Sequence, residues 1–144
     1  MRADFLKEVL GPEPESKGRT DPEADGALPS MDEPYEAYGR AANKPLYALH
    51  CVLGRDGLRS FQYVHLDSDS TLRAEGGSQV ITLRFGGVRT VEVIISGRNL
   101  WLLYDYIHQH RMPWVRKADR DFSDGTGRQP IVTGIVFAEV KERG

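Results

Sequence analysis

The segment that most constrains the fold is IISGRNLWLLYDYIHQHRMPWVRK, which spans residues 94–117. It begins in a β-branched run, crosses Gly-Arg-Asn into apolar residues at helical spacing, and then reaches a proline followed by a basic tail. The chain is therefore predicted to contain a strand that leads directly into one helix. The segment holds no complete catalytic or cofactor-binding motif, so it predicts architecture and leaves function open.

The predicted helix has recognisable ends. Its apolar stripe consists of Leu100, Leu103, Tyr104 and Ile107. We expect Asn99 to cap the helix, because its side-chain oxygen can accept a hydrogen bond from an amide two or three residues later. Pro113 disfavours the α conformation at the residue before it, so the helix is predicted to end near His110 or Arg111.

Two alternating runs on either side of Asp56-Gly57 predict a first β-hairpin. A two-residue loop at this dipeptide pairs His50 with Tyr63 and Ala48 with His65. A second hairpin is predicted from the glycines that begin the loop at residues 86–88.

A three-residue loop in the second hairpin pairs Leu83 with Val91 and Ile81 with Val93, which puts the apolar side chains on one face. Residues 131–140 predict a last strand, and their apolar character on both faces predicts a position at the centre of the sheet or between the sheet and the helix. The fold class is therefore α+β. About five antiparallel strands, in two hairpins plus a C-terminal strand, form a curled sheet or partly open barrel packed on one helix.

This domain is predicted to span residues 45–144, after an acidic arm. Residues 12–36 contain eight Asp or Glu and two Lys or Arg, a net charge of −6, whereas residues 37–144 contain 11 acids and 15 bases, a net charge of +4. Residues 12–44 have few large apolar side chains to offset the entropy of ordering them, so they predict a flexible acidic linker.

Residues 1–11 predict a short amphipathic helix whose apolar face consists of Phe5, Leu6, Val9 and Leu10. A helix of this length is marginal alone, so it must dock on its own domain, on a second copy or on a partner. Its apolar stripe is too short to cross a bilayer, and we expect no membrane association and a cytoplasmic location.

Catalytic and metal-binding patterns are weak. The single cysteine, Cys51, lies in an apolar run and is expected to be buried, in a reducing compartment. The four histidines do not have the spacing of a zinc site. The loop from Asp119 to Gln129 has no glycine at the sharp-turn position of a calcium loop and no glutamate at its last position. No nucleophile motif is present. We therefore expect neither metal nor cofactor, and an enzyme is disfavoured.

The strongest functional signal is a set of basic residues around a tryptophan. The candidates for binding an anion or a nucleic acid are Arg98, Arg111, Trp114, Arg116, Lys117 and Arg120. Such residues can hold a phosphate backbone while the ring stacks on a base. Two further roles for these residues stay open: the bases stabilise the C-terminal end of the helix while Trp114 packs on the core, or the acidic arm occupies the patch.

The sequence favours a non-enzymatic binding or adaptor module that has a protein partner or self-associates. The alternative is an RNA- or DNA-binding domain that uses the basic tail, and a small hydrolase comes third.

Overall fold

The structure, a computed structural model, describes residues 28–29, 34–119 and 129–141. Within them the chain forms seven strands and one α-helix. In chain order the elements are β1 (Ala48–Val52), β2 (Leu58–Gln62), β3 (Thr71–Glu75), β4 (Ser78–Phe85), β5 (Thr90–Arg98), α1 (Trp101–His108), β6 (Trp114–Arg116) and β7 (Ile131–Val140). The predicted mixed α+β class with mainly antiparallel strands is confirmed.

The strands form two sheets instead of one. The first has the order β2-β1-β6 and the second the order β3-β4-β5-β7. All pairings are antiparallel except that of β1 with β6, which is parallel. The sequence predicts only about five strands, because exposed β3 lacks an apolar face and three-residue β6 lies within the basic tail.

Backbone hydrogen bonds join the sheets at two corners. At one, Asp67 N donates to Arg84 O at 2.7 Å and Gly86 N donates to His65 O at 2.8 Å. At the other, Ala118 N donates to Val132 O at 2.8 Å. The two sheets are thus hydrogen-bonded to each other at these corners, and within the described residues they do not form a closed barrel.

One apolar cluster draws on both sheets and the helix. Its fully buried members include Leu49 of β1, Leu83 of β4 and Val93 of β5. Leu103 and Ile107 of α1 are also completely buried, as the helical spacing predicts. Since burial of a large aliphatic side chain contributes about 1.5–3 kcal/mol, this shared core is what holds the two sheets and the helix together.

The predicted register of the first hairpin is wrong by three residues. His50 faces Ser60 and Ala48 faces Gln62, because the chain turns through a 3-10 turn at Gly54–Asp56 and not at Asp56-Gly57 alone. The odd shift places Phe61 opposite Leu49 on the core side.

Tyr63 then leaves β2 and turns into the core. It is 2% exposed, and its hydroxyl donates to Met112 O at 2.6 Å.

The second hairpin is shifted by two residues, so its apolar face is preserved. Leu83 pairs with Val93 and Ile81 pairs with Ile95, and all four side chains are fully buried. The shift arises because five residues, 86–90, lie between the paired Phe85 and Val91, where the sequence predicts a loop of three; Gly87 in this loop has a φ of +124° that suits glycine.

Strand β7 has the predicted bounds, but of its two predicted positions the central one is wrong. Among the residues that the structure describes, it pairs with β5 only and lies at the edge of its sheet.

The helix begins and ends differently from the sequence prediction. Asn99 does not cap it: Asn99 has a φ of +58°, and Gln79 Oε1 accepts the hydrogen bond from Leu100 N at 2.6 Å instead. The helix ends at His108 in a Schellman motif, with His110 at a φ of +60° and Arg111 N donating to Tyr106 O at 2.9 Å.

Residues 34–44, here called the strap, lie antiparallel along β6. Gly39 N donates to Trp114 O at 3.1 Å, and Arg116 N donates to Ala37 O at 2.7 Å. Ala37 and Ala42 are 3% and 4% exposed. This part of the predicted linker is therefore packed on the domain, whereas the predicted helix at 1–11 lies outside the described residues.

No helix in the described part of the chain is both long and apolar enough to cross a membrane.

Gly97 lies at a bulge where β5 approaches β7 too closely for a side chain. A Cβ there would lie 1.9 Å from Ile131 O. We predict that Gly97→Ala lowers the free energy of unfolding by at least about 2 kcal/mol, measured by urea denaturation, because the strands must separate to admit the methyl group. Gly134→Ala on β7 is the matched control, since a Cβ there has no neighbour within 4 Å. Equal stability of the two variants would contradict the close approach.

Candidate functional site

The basic tail that the sequence singles out is divided between buried and exposed positions. Trp114 and Arg116 are buried on β6, with 6% and 8% of their surface exposed. Arg98 and Arg111 are half-buried, Lys117 is exposed, and Arg120 lies outside the described residues. The described residues of the basic tail therefore do not form one continuous exposed surface.

Trp114 packs against the strap. A Cβ on Gly39 would lie 2.6 Å from Trp114 Nε1 and 2.8 Å from Cε2, so only glycine lets the strap backbone lie this close to the indole. The indole is covered by the chain itself, and it can stack on a base only after the strap has moved away.

The two arginines on this side also hold the strap. Arg111 Nε donates to Ala42 O at 2.6 Å. Arg116 Nη1 donates to Pro34 O at 3.3 Å, and its guanidinium carbon lies 5.6 Å from the centre of the Tyr35 ring. Each guanidinium thus donates to a strap carbonyl. This structural role explains the presence of two basic residues in the tail, and it requires no ligand.

Tyr35 completes this contact from the strap. Its hydroxyl donates to Arg116 O at 3.0 Å and accepts from Val132 N at 2.8 Å. Burial raises the pKa of Tyr35 to about 12, so the phenol keeps its proton at neutral pH and can fill both roles. The strap is consequently tied to β7 as well as to β6.

An aromatic groove lies beside the strap. Two adjoining hollows share Tyr38 and Pro130 and together form this groove. Its lining residues are Glu36, Ala37, Tyr38, Gln79, Asn99, Trp101, Leu102, Gln129 and Pro130. The strap, the start of α1 and the segment before β7 thus meet at one surface.

Trp101 is the main apolar group of the aromatic groove. It is 60% exposed and Leu102 is 43% exposed, whereas Leu100 and Leu103 beside them are fully buried. Gln79 adds a polar group, because its Oε1 accepts from Leu100 N and its Nε2 remains able to donate. The groove therefore offers an indole, a tyrosine ring and the Gln79 carboxamide to a ligand.

A basic cleft lies at the far end of the first sheet. Its lining residues are Gly54, Arg55, Arg116, Lys117 and Asp119. Two of the predicted basic residues, Arg116 and Lys117, thus meet Arg55, which the sequence does not single out. Arg55 comes from the turn after β1, so its proximity depends on the β1–β6 pairing.

Two serine–histidine pairs are present on the surface. His50 Nδ1 and Ser60 Oγ are 2.6 Å apart, and His108 Nε2 and Ser70 Oγ are 3.2 Å apart. Within residues 34–119 and 129–141, neither histidine is hydrogen-bonded to a carboxylate that would orient it for proton transfer. Among the residues that the structure describes, these pairs therefore lack the third member of a hydrolytic triad.

The described residues contain no group of three or more His, Cys, Asp or Glu side chains placed to hold a metal ion. Most of the loop compared with a calcium site, residues 120–128, lies outside them, as do Phe5, Leu6, Val9 and Leu10 of the predicted partner helix.

Four residues of these surfaces are not among the predicted site residues, and only two of them can be found from the sequence. Trp101 and Leu102 flank the core-facing positions of the helix, so their exposure can be found from the helical stripe alone. Arg55 reaches the basic cleft through the pairing of β1 with β6, and Tyr38 reaches the aromatic groove through the pairing of the strap with β6. Both pairings join segments that are distant in the chain, so no local sequence pattern predicts them.

Comparison of the chain with protein-family models, with curated proteins and with solved structures gives no match.

The contact between Gly39 and Trp114 can be tested by one methyl group. We predict that Gly39→Ala destabilises the fold by about 1–3 kcal/mol and makes Trp114 more accessible to acrylamide, because the strap must lift from the indole. The measurement is fluorescence quenching in a Trp101→Phe background, which leaves Trp114 as the only tryptophan. Gly77→Ala is the control, because a Cβ at Gly77 would have no neighbour within 4 Å. Unchanged quenching in Gly39→Ala would contradict the packing.

Cys51 is fully buried, and burial raises its pKa from 9.0 to about 12. At pH 8 its thiolate fraction is therefore far lower than that of an unperturbed cysteine. We predict that the native protein does not react with Ellman's reagent over minutes, whereas the protein in concentrated urea releases one equivalent of thionitrobenzoate. Rapid stoichiometric reaction of the native protein would show that Cys51 is accessible.

Proposed function

We propose that this protein is a non-enzymatic binding module that captures an extended, proline-containing segment of a protein partner in the aromatic groove. The observation that carries the proposal is the 60% exposure of Trp101 at the start of α1, next to Tyr38, Leu102 and Pro130. A large exposed aromatic side chain is costly to leave in water, and tryptophan and tyrosine are enriched among the residues that dominate binding energies.

The chemistry of the groove favours an extended peptide over a helix or a charged ligand. Grooves lined by aromatic rings bind polyproline-type segments, because such segments are already extended and lose little entropy on binding. The rings contact proline and aliphatic side chains, while Gln79 Nε2 can donate to a peptide carbonyl. The two hollows adjoin at Tyr38 and Pro130, so one extended segment can contact both.

The charge of the groove narrows the choice of partner. Glu36 is the one charged side chain among the described residues that line it. An acidic segment would meet this carboxylate, whereas a neutral or basic segment would not be repelled. We therefore expect the captured segment to carry proline and a Lys or Arg.

The other two functions suggested by the sequence have less support. A hydrolase would need an acid to orient His50 or His108, and within the described part of the chain the hydrogen-bond partner of each imidazole is instead a serine. A nucleic-acid-binding surface would need an exposed ring beside its cations, and the strap covers Trp114.

We predict that peptides selected by the full-length protein from a random peptide display library are enriched in proline and basic residues. Trp101→Ala should weaken the binding of such a peptide by at least about tenfold, because the indole supplies most of the apolar contact. Tyr47→Ala is the matched control, since Tyr47 is an aromatic residue that is 93% exposed outside the groove. Binding can be followed by fluorescence polarisation of a labelled peptide.

The proposal is wrong if Trp101→Ala and Tyr47→Ala bind the selected peptide equally well, or if the selected peptides are acidic. Circular dichroism of both variants establishes that any loss of binding does not come from unfolding.

A further inference from the structure

The basic cleft is independent of the aromatic groove, since the two share no lining residue. Its position follows from topology. Because β1 and β6 are parallel, their carboxyl ends lie at the same edge of the sheet, and the residues that follow each strand meet there. Arg55 and Gly54 follow β1, while Lys117 and Asp119 follow β6.

The cations of the basic cleft differ in their availability. Arg116 is buried, and its guanidinium is held by Pro34 O and Tyr35, so it forms a fixed positive charge at the base of the cleft. Arg55 and Lys117 are exposed, and neither forms an ion pair with an acid of the described residues. Their charged ends are therefore available to a ligand.

The charges sum to a value that suits a dianion. Arg55, Arg116 and Lys117 each contribute +1 at neutral pH, and Asp119 contributes −1, which gives the cleft a formal charge of +2. A phosphate monoester carries a charge of about −1.5 to −2 at this pH. Arg55 presents a planar fork to phosphate oxygens and Lys117 a compact point charge, which is a combination that phosphate sites use.

The carboxylate of Asp119 makes this cleft unsuitable for a polyanion such as a nucleic-acid backbone. A carboxylate beside the cations repels a second phosphate group, but it can accept a hydrogen bond from a hydroxyl group. The cleft has a volume of about 370 Å³, within the range of small-molecule sites. No aromatic residue is among its described lining residues, so a base would find no ring on which to stack.

We propose that the basic cleft binds a small hydroxylated phosphomonoester, of the size and chemistry of a sugar phosphate. Arg55 and Lys117 contact the phosphate oxygens, Arg116 supplies a fixed charge behind them, and Asp119 accepts a hydrogen bond from a ligand hydroxyl. The site neither requires nor forms part of the peptide-binding groove.

Isothermal titration calorimetry of the full-length protein at low salt tests the proposal, with ribose 5-phosphate, inorganic phosphate and a ten-residue thymidine oligonucleotide as probes. Ribose 5-phosphate is expected to bind more tightly than inorganic phosphate. Arg55→Gln and Lys117→Gln should each weaken its binding by about tenfold, because each removes a charge-assisted hydrogen bond. Asp119→Ala should reduce the preference for ribose 5-phosphate over inorganic phosphate. Arg73→Gln, on exposed β3 of the other sheet, is the matched control.

The proposal is overturned if ribose 5-phosphate gives no binding heat at millimolar concentration, or if Arg55→Gln and Lys117→Gln behave like Arg73→Gln. It is also overturned if the oligonucleotide binds more tightly than ribose 5-phosphate, which would identify the cleft as a nucleic-acid surface. Melting temperatures of all variants verify that each is folded. Because Trp101→Ala leaves the cleft intact, loss of peptide binding in that variant with retention of ribose 5-phosphate binding separates this proposal from the peptide-binding one.

Discussion

The pairing of the strap with β6 is the contact on which both candidate surfaces depend. Trp114 receives the backbone of Gly39, and Arg111 and Arg116 each donate to a strap carbonyl. This contact orients Tyr38, whose ring forms part of the aromatic groove, and it fixes the guanidinium that lies under the basic cleft. A strap detached from β6 would remove one wall of the groove and release the buried charge of Arg116.

The same contact gives the basic tail a structural role. A cluster of cations around a tryptophan suits nucleic acid, yet two of these cations and the indole contact the chain's own strap. The sequence predicts an acidic arm that is either flexible or covers the patch. The strap contacts Trp114, Arg111 and Arg116 and leaves Lys117 exposed, and its backbone carbonyls, not its carboxylates, accept the hydrogen bonds from the two guanidinium groups. Hydrogen bonds to carbonyls of this kind are insensitive to the charge of the arm, so they are screened little by salt.

The sequence predicts the elements whose signal is local. The helical stripe identifies Leu103 and Ile107 as core residues, and the last strand has the predicted bounds. The alternation in the second hairpin survives a shift of two residues, because an even shift keeps every side chain on its face.

The sequence predictions are wrong or incomplete where a contact from a distant segment decides the local structure. Asn99 has the right composition for a cap, but Gln79 from β4 accepts the hydrogen bond from Leu100 N, and Asn99 adopts the left-handed conformation. The parallel partner of β6 lies more than 60 residues earlier in the chain, so Arg55 cannot be assigned to the basic cleft from sequence alone.

Amide hydrogen exchange followed by nuclear magnetic resonance tests the strap–β6 pairing most directly. Gly39 N and Ala42 N donate to Trp114 O and Arg111 O, and His50 N on β1 donates to Pro113 O. We expect the Gly39 and Ala42 amides to be protected from exchange by at least about a hundredfold, as amides in native hydrogen bonds are, and we expect Gly39→Ala to remove this protection while His50 keeps its own. Exchange of Gly39 and Ala42 at the rates of an unstructured chain, with His50 protected, would contradict the pairing.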